Sequence, residues 1–588
     1  MTLLGAGVGS IQPVASWVST TDPTFPSSSL TFSRTSLATM FDSTGKLTYA
    51  PNNLLLYSNT FNNAQWSLTS ATLASGVSDP VGGANAWTIT ATAGGGMLRQ
   101  WQTYSTLANR PGVVSMWMRR RTGSGTVSIL TGTGTWTAVT GQVSGSWALV
   151  YSTTVFDGAG NAPNGIQLGT NGDAVDIYFS VTAAVTYETT PRTADQVITT
   201  SAAYYGPRID YDPNTLTVKG LLIEEARTNV ASWGEDLSNA GWAWTTNGNA
   251  VTANATAGPA GTTTAALITP IAGSGAHRSE RLISGFSLGA TVSLSIFAKP
   301  NGYNNIQLGV YDTAYHSANF NVSTGAVANT DAGVTATIKP AANGFYRCTI
   351  TYTTAGATML YWEAYVRPNG TIDSNSWIAD GTSGIYVDKA QFEVGSFATS
   401  YIPTDASSVT RAADVVQFTG AALTALQGSA GSAITETISL SDTSPASITN
   451  LIRGTNSILY RDTTGKTGTT NGTTALLTAA APTWNVSLRN GLAWSAAGRS
   501  LVYTSGAVAT DANAVSNGGT LYLGSNNGSA VENGWYKSFA IYNQRLSDAT
   551  LQARSVVGAS YAANDNANPF APQFAANDNL PVHWRIAL

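Results

Sequence analysis

The amino-acid sequence predicts an all-β protein built from tandem β-sandwiches, and three observations lead to this prediction. Only 10% of the residues are charged and 59 are glycine, a composition that favours strands and turns over amphipathic helices. Apolar Val114, Met116 and Met118 alternate with the side chains between them, which is the period of a half-buried strand. The string at residues 53–66 has a partial copy at residues 229–242, so one β-rich module begins twice.

Length and charge limit the classes of function. At 588 residues the chain is too long for one core, and about 100–200 residues per domain predicts three or four domains. The formal net charge of −4, with no long basic run, argues against binding to nucleic acid or to an anionic membrane. The single basic cluster, residues 119–121, is expected to be a solvated strand end rather than a phosphate site.

Cysteine content and hydropathy narrow the cellular setting. The only cysteine, Cys348, excludes an intramolecular disulfide framework and a cysteine-based zinc site. The N-terminus lacks the basic region of a secretory signal, and no apolar run reaches the roughly 18–20 residues of a membrane span. We therefore expect a soluble protein that is made in a cytoplasm and does not insert into membranes.

Composition shifts and the repeat divide the chain into six segments. In order, these are a short adaptor (1–51), a first sandwich module (52–200), a joint (201–228), a second sandwich module (229–418), a third sandwich module (419–558) and an extended C-terminal arm (559–588).

The first two modules follow one plan. Strands are predicted at residues 126–131, 147–153 and 174–181, separated by glycine and asparagine turns. In the second module, residues 291–299 match residues 113–121, and residues 344–352 match residues 146–154. In the adaptor, the alternation that begins at Leu30 and the Asp42–Gly45 turn predict a short hairpin.

The third module and the arm differ from the first two modules in their predicted elements and composition. Short strands are predicted at residues 433–440, 457–461, 484–490, 499–504 and 520–524. A helix is predicted at residues 547–556, with Ser547 as its N-cap. The arm repeats the string AANDN and contains two prolines between the copies, so it is expected to be a solvated linker or an arm that docks on a neighbouring subunit.

Several stretches resemble recurrent elements of phage virion proteins. Residues 30–49, LTFSRTSLATMFDSTGKLTY, and residues 207–229, PRIDYDPNTLTVKGLLIEEARTN, resemble two elements of tail and fibre proteins. Residues 384–404, followed by 409–414, are similar to the closing strands of carbohydrate-binding-module-like jelly rolls in those proteins. Residues 534–548, GWYKSFAIYNQRLSD, resemble the last core strand and following turn of a laminin-G/concanavalin-A-like fold.

This resemblance implies two jelly rolls plus one laminin-G/concanavalin-A-like sandwich. It implies a tail fibre, spike or fibre-like decoration in the virion, synthesised in the host cytoplasm and attached to other virion proteins. It further implies a homo-oligomer, with a trimer favoured, and the low charge content is compatible with self-association. Binding of the sandwiches to host-surface polysaccharide is also expected, and this expectation rests on their aromatic faces, which are described below. A passive scaffold or capsid decoration without glycan binding is the alternative.

No arrangement of residues predicts an enzyme. A glycosidase needs two carboxylates roughly 5–10 Å apart across a cleft, whereas the adjacent Glu224 and Glu225 point to opposite faces of a strand. Structural roles are expected for both, with a salt bridge to Arg227 as one possibility. The three histidines are far apart in the sequence and form no metal-binding or catalytic motif. A capsule depolymerase is the second alternative.

The segment 361–367 carries candidate binding residues. In a strand, Tyr361, Glu363, Tyr365 and Arg367 share one face. Such a face suits sugars, because CH groups stack on aromatic rings while hydroxyls pair with carboxylate or guanidinium groups. Two residues of another strand would offer a similar face, and the complete candidate set is Tyr361, Glu363, Tyr365, Arg367, Gln307 and Tyr311. The alternative role for these residues is contact between modules or subunits.

Calcium is the one metal for which the sequence offers candidate ligands. Modules of both resembled folds often hold a structural calcium ion through carboxylates and carbonyls. On that resemblance, Asp388 and Glu393 are candidate calcium ligands, although nothing in the sequence has the density of an EF-hand loop.

Overall fold

The structure is a computed structural model of the 588-residue chain. It describes residues 11–132, 134–245, 248–356, 359–372, 376–441, 447–455, 457–470, 474–478, 486–504, 506–515, 518–559 and 561. Within these residues the only α-helices are Gly420–Leu426 and Asp548–Arg554, and antiparallel sheets make up the rest of the regular structure apart from short 3-10 turns. The prediction of an all-β fold is confirmed.

The first sandwich packs two five-stranded sheets face to face. In spatial order, one sheet contains Ala148–Val155, Pro111–Thr122, Ala174–Ala184, Ala86–Ala91 and Ala71–Val77. The other contains Thr135–Ala138, Val127–Gly132, Asn161–Leu168, Gly96–Thr103 and Ser67–Thr69. Val114, Met116 and Met118 lie in the core between the sheets, as their alternation predicts.

The second sandwich has the same plan with longer sheets. Its six-stranded sheet contains Asn249–Ala257, Thr263–Pro270, Gly384–Val394, Thr291–Asn301, Tyr346–Thr353 and Val334–Pro340. Its five-stranded sheet contains Arg278–Ser284, Met359–Arg367, Asn305–Tyr311, Tyr315–Asn321 and Ala326–Thr330. Trp242 and Trp362 meet edge to face in the core, with ring centroids 4.9 Å apart.

The repeat found in the sequence is also present in the structure. Pro111–Thr122 lies between Ala148–Val155 and Ala174–Ala184 in the first module. Thr291–Asn301 lies between the corresponding strands of the second module, Tyr346–Thr353 and Gly384–Val394. The Asn53 side-chain amide donates to the carbonyls of Ser180 and Val197, and the Asn229 amide donates to those of Ala390 and Ile402. In both modules, therefore, an asparagine ties the entering chain to the strand that closes the sandwich.

The third sandwich is assembled from separate parts of the chain. One sheet contains Arg208–Tyr211, Val218–Ile223, Gly534–Tyr542, Gly431–Ser439, Leu488–Ser495, Gly498–Tyr503 and Ala509–Asp511, and Ala15–Val18 also pairs with Gly534–Tyr542. The facing sheet contains Leu30–Ser33, Val415–Phe418, Tyr522–Leu523, Thr449–Arg453, Ser457–Arg461, Thr467–Thr470 and Ala475–Leu477.

Strands of the third sandwich therefore come from segments that the sequence assigns to the adaptor and the joint. Leu30, Leu221 and Ile223 are fully buried in its core. The hairpin predicted in the adaptor forms from Thr39–Phe41 and Leu47–Tyr49, whereas Leu30–Ser33 pairs with Val415–Phe418. Both segments complete a hydrophobic core that residues 419–558 do not fill alone.

Smaller elements complete the architecture. Ser547 caps the helix Asp548–Arg554 by accepting a hydrogen bond from the Thr550 amide. Besides the adaptor hairpin, the described residues form three two-stranded ribbons and five 3-10 turns: Asn52–Asn53 with Tyr204–Tyr205, Arg227–Asn229 with Val409–Arg411, Gly273–Gly275 with Trp377–Ala379, and the turns Ser105–Leu107, Thr140–Gln142, Thr193–Asp195, Ala240–Trp242 and Ala342–Gly344. Residues 562–588 of the predicted arm lie outside the described residues. Among the described helices, none has the length and apolar character needed to cross a membrane.

A buried charge cluster joins the third sandwich to the end of the second. Arg208 and Arg411 each donate to Oε2 of Glu224 at 2.5 Å. Asp414 accepts from Arg208 and, at 2.8 Å, from Arg34. Burial raises the pKa of Glu224, but the Arg411 and Arg208 charges more than offset that effect and the pKa falls to about 2. The carboxylate is therefore ionised at neutral pH.

A second ion-pair cluster bridges the first two sandwiches. Arg110 of the first sandwich binds Glu235 at 2.7 Å and Asp405 at 2.9 Å. Lys389 also binds Glu235, at 3.2 Å. These side chains line an inter-sandwich cleft of about 610 Å³, where each of the four is paired with an opposite charge.

Candidate functional site

The outer face of the five-stranded sheet in the second sandwich brings all six candidate glycan-binding residues together. Met359–Arg367 lies between Arg278–Ser284 and Asn305–Tyr311. In this register Tyr361 is opposite Tyr311, and Tyr365 is opposite Gln307. The two faces that the sequence predicts separately are therefore one continuous surface.

One end of this surface is an exposed apolar row. Leu282, Tyr361 and Tyr311 are cross-strand neighbours on three adjacent strands, and their exposed fractions are 51%, 40% and 46%. Met359, two residues before Tyr361 on the same strand, is also exposed. Neighbouring strands are about 4.8 Å apart, so the row offers flat apolar contacts at intervals comparable with the length of a pyranose ring.

The other candidate residues lie below the surface and support it. Tyr365, Gln307 and Arg367 are buried, which corrects the expectation that their side chains contact a ligand directly. Arg367 Nε donates to Gln307 Oε1 at 3.0 Å, and Gln307 Nε2 donates to the Tyr315 hydroxyl at 3.2 Å. These hydrogen bonds link Arg367 through Gln307 to Tyr315, so these residues position the strands and the groups above them.

Glu363 lies between the exposed row and the buried network. Its carboxylate accepts a 2.5 Å hydrogen bond from the Tyr365 hydroxyl. Burial raises the pKa of Glu363, and the nearby Glu280 carboxylate raises it further, against the lowering effect of Tyr365 and Arg278. Burial and Glu363 raise the pKa of Tyr365 to about 12, so its hydroxyl remains a hydrogen-bond donor at neutral pH.

The strand Arg278–Ser284 supplies residues that the sequence analysis missed. Glu280 is the cross-strand neighbour of Glu363, and Leu282 extends the exposed row. Arg278 Nε donates to Glu280 at 3.0 Å and lies 3.9 Å from Glu363 Oε1. The alternation Arg278, Glu280, Leu282 is visible in the sequence, but only the sheet order places it beside Tyr361.

A glycine opens this face at its centre. Gly309 is opposite both Glu363 and Ser317. A Cβ atom at position 309 would lie 2.6 Å from the Tyr315 hydroxyl, so the missing side chain lets the Tyr315 ring lie across the sheet. That ring meets Tyr365 edge to face, with centroids 6.0 Å apart, and forms the wall of the polar part of the surface.

The two candidate calcium ligands have separate protein partners. Both oxygens of Glu393 accept hydrogen bonds from Thr399, at 2.9 and 2.5 Å. Asp388 accepts a 3.0 Å hydrogen bond from Thr264, and burial raises its pKa to about 6 in spite of the nearby Lys389 charge. No group of three His, Cys, Asp or Glu residues within the described ranges could hold a metal ion.

The adjacent glutamates of the joint have structural partners. Glu224 is buried between Arg208 and Arg411, while Glu225 accepts a 2.6 Å hydrogen bond from Arg227 Nε. Their different partners agree with the expectation that the two side chains point to opposite faces. They do not form a pair of carboxylates across a cleft.

No protein-family model matches the chain, and a search of curated proteins finds no similar sequence. Solved structures match parts of it. The CBM40 of Ruminococcus gnavus IT-sialidase, bound to α2,3-sialyllactose, is 19% identical over 23% of this chain and 86% of its own, with a TM-score of 0.20. The CBM22 tandem of Paenibacillus barcinonensis Xyn10C is 12% identical over 59% of this chain and 98% of its own, with a TM-score of 0.21.

Mouse laminin α1 domains LG4-5 are 9% identical over 55% of this chain and 92% of their own, with a TM-score of 0.14. Carbohydrate-binding modules and laminin G domains, the two kinds of sandwich that the sequence resembles, are thus both represented among the similar structures. At these identities and TM-scores, the similarities carry no inference about ligand or activity.

Proposed function

We propose that this chain is a non-enzymatic structural protein of a bacteriophage particle, a tail fibre, spike or fibre-like decoration that binds host-surface glycan through its second sandwich. The virion assignment is supported by the sequence elements at residues 30–49 and 207–229. Attachment to other virion proteins and assembly into a homo-oligomer, with a trimer favoured, belong to the same proposal.

The observation that carries the glycan assignment is the exposed row Leu282, Tyr361, Tyr311 beside the polar groups Glu280 and Arg278. A sugar places its CH groups on the rings and turns its hydroxyls toward the carboxylate and guanidinium. Soluble proteins rarely leave several large apolar side chains side by side unless a ligand or partner covers them. The strand register already places the two rings side by side, which lowers the ordering cost at binding.

The arrangement of charged residues on this face is also the basis for proposing that the chain is not an enzyme. Glu280 and Glu363 are cross-strand neighbours on one face, and Arg278 lies against both. A glycosidase instead places its acid and its nucleophile or base on opposite sides of the scissile bond. This arrangement suits binding of a saccharide without cleavage.

The test is a glycan array and a host-cell binding assay with the full-length protein, combined with an assay for released reducing sugar. We expect glycan and cell binding without sugar release. Absence of binding in both assays would favour a passive scaffold or capsid decoration. Release of reducing sugar that Glu363→Gln abolishes would instead establish a capsule depolymerase.

Oligomeric state and location are tested separately. Native mass measurement at micromolar concentration should give a trimer, and a monomer would refute self-association. Antibody labelling of purified particles should place the protein on the virion, and unlabelled particles would refute the virion assignment.

A further inference from the structure

The first sandwich has a sheet that corresponds to the one carrying the candidate site. Its strands Gly96–Thr103, Asn161–Leu168 and Val127–Gly132 occupy the places of Arg278–Ser284, Met359–Arg367 and Asn305–Tyr311 in the second sandwich. Ile166 and Leu168 point into the core. The alternate residues Pro163, Gly165 and Gln167 therefore lie on the outer face, where the second sandwich has tyrosine, glutamate and arginine side chains.

An arginine and a tryptophan dominate this second outer face. Arg99 and Trp101 lie on the same side of one strand, opposite Gly165 and Pro163 respectively. Trp101 is 39% exposed, and the Arg99 guanidinium carbon lies 5.2 Å from the centre of its ring. A Cβ atom at Gly165 would lie 2.9 Å from the Cβ of Arg99, so the glycine keeps the surface beside Arg99 open.

Arg99 has no charged or hydrogen-bonding partner among the described residues. Its Nε atom is buried without a hydrogen bond, and Arg99 is the only charged residue in the five strands of its sheet. Arg278 in the second sandwich is, by contrast, paired with Glu280. An unpaired guanidinium on strands that carry no other charge is a group that a ligand carboxylate would complete.

We propose that the outer face of the first sandwich is a second binding site, and that its ligand is an acidic saccharide unit. The sugar carboxylate accepts hydrogen bonds from Arg99, whose planar fork matches carboxylate geometry. The apolar face of the sugar ring stacks on Trp101. The two sandwiches then bind different sugars, because the first face offers one uncompensated positive charge and the second offers carboxylates beside its arginines. This proposal uses no residue of the second-sandwich site and stands independently of it.

The test compares an oligogalacturonate with its methyl ester, which has the same rings and no negative charge. Binding of each to the full chain is measured by isothermal titration calorimetry. We expect the acid form to bind, and the ester to bind at least about tenfold more weakly, since a hydrogen bond to a charged group is worth about this factor or more. Arg99→Gln should weaken binding of the acid by a similar factor and leave the ester unchanged. Trp101→Ala should weaken both.

Two variants serve as controls. Arg121→Gln removes the same charge from the other sheet of the same sandwich, where Arg121 is paired with Asp176, and should not change the affinity. Tyr361→Ala/Tyr311→Ala alters only the second sandwich and should also have no effect on the acid. The proposal is overturned if neither saccharide binds, if acid and ester bind equally, or if Arg99→Gln, shown to be folded by circular dichroism, binds the acid as the wild type does.

Discussion

Tyr361 and Tyr311 form a directly opposed cross-strand pair. Both side chains are exposed, whereas the core-facing residues of the same two strands are buried. The pair is therefore an aromatic platform that is open to a ligand.

Replacing this platform should remove glycan binding without unfolding the sandwich. The double variant Tyr361→Ala/Tyr311→Ala is expected to lower affinity for the glycan identified on the array by at least tenfold, about 1.4 kcal/mol or more, because both stacking surfaces are lost. Ile378→Ala is the matched control, since Ile378 is an apolar residue that is 80% exposed on a different ribbon. Equal affinity of the double variant and the control would refute the site.

Replacing Tyr365 should lower the free energy of unfolding more than replacing Tyr361, although both are tyrosines on one face of one strand. Tyr365→Phe leaves the buried Glu363 carboxylate without its 2.5 Å donor. The free energy of unfolding is therefore expected to fall by about 1–3 kcal/mol. Tyr361→Phe removes an exposed hydroxyl and should change it by less than about 0.5 kcal/mol. Urea denaturation followed by tryptophan fluorescence compares the two, and equal stabilities would contradict a supporting role for Tyr365.

Local patterns in the sequence predict which residues share a face, but they do not predict which strands are neighbours. The alternation at residues 361–367 correctly groups Tyr361, Glu363, Tyr365 and Arg367. Whether a tyrosine on that face is exposed or buried depends on what covers it, and Tyr361 and Tyr365 have opposite outcomes. Burial is decided by groups such as Tyr315 and Gln307, which lie far away in the sequence.

The third sandwich shows the same limit at the level of the fold. Leu30–Ser33 pairs with Val415–Phe418, and Val218–Ile223 pairs with Gly534–Tyr542. Each partner lies more than three hundred residues away, and these strands are short, so no local signal connects them. The first two sandwiches were easier to predict because nearly all of their strands pair within one continuous segment and because the repeat marks equivalent strands.

Acid should weaken the junction between the second and third sandwiches through Glu224. Its pKa falls from 4.5 to about 2 on folding, so the ionised carboxylate stabilises the folded state fully above about pH 4.5. That contribution is lost as the pH falls toward 2. Glu224→Gln should cost about 3–5 kcal/mol at pH 7, because two buried arginines lose a partner, and the difference from wild type should narrow below pH 4.5.

Hydrogen exchange of the strand Val218–Ile223 at pH 7 and pH 4 measures this effect locally. Glu225→Gln is the matched control, because Glu225 is the adjacent residue and its side chain is 35% exposed. An ion pair with this exposure contributes about 0–1 kcal/mol. If the two variants exchange at the same rate, the buried cluster does not stabilise the junction.

Arg110 should fix the orientation of the first sandwich relative to the second. It is the residue of the first sandwich that binds both Glu235 and Asp405, and its side chain is only 12% exposed. Arg110→Gln is expected to leave the melting temperature of each sandwich nearly unchanged and to increase the radius of gyration measured by small-angle X-ray scattering, because the cleft loses its charged bridge.

Arg121→Gln is the control, because it removes an ion pair within one sandwich and should leave the scattering unchanged. Since a largely buried pair is screened weakly, high salt should not reproduce the effect in the wild type. Identical scattering of Arg110→Gln and wild type would mean that the ion pairs of Arg110 do not fix the orientation of the two sandwiches.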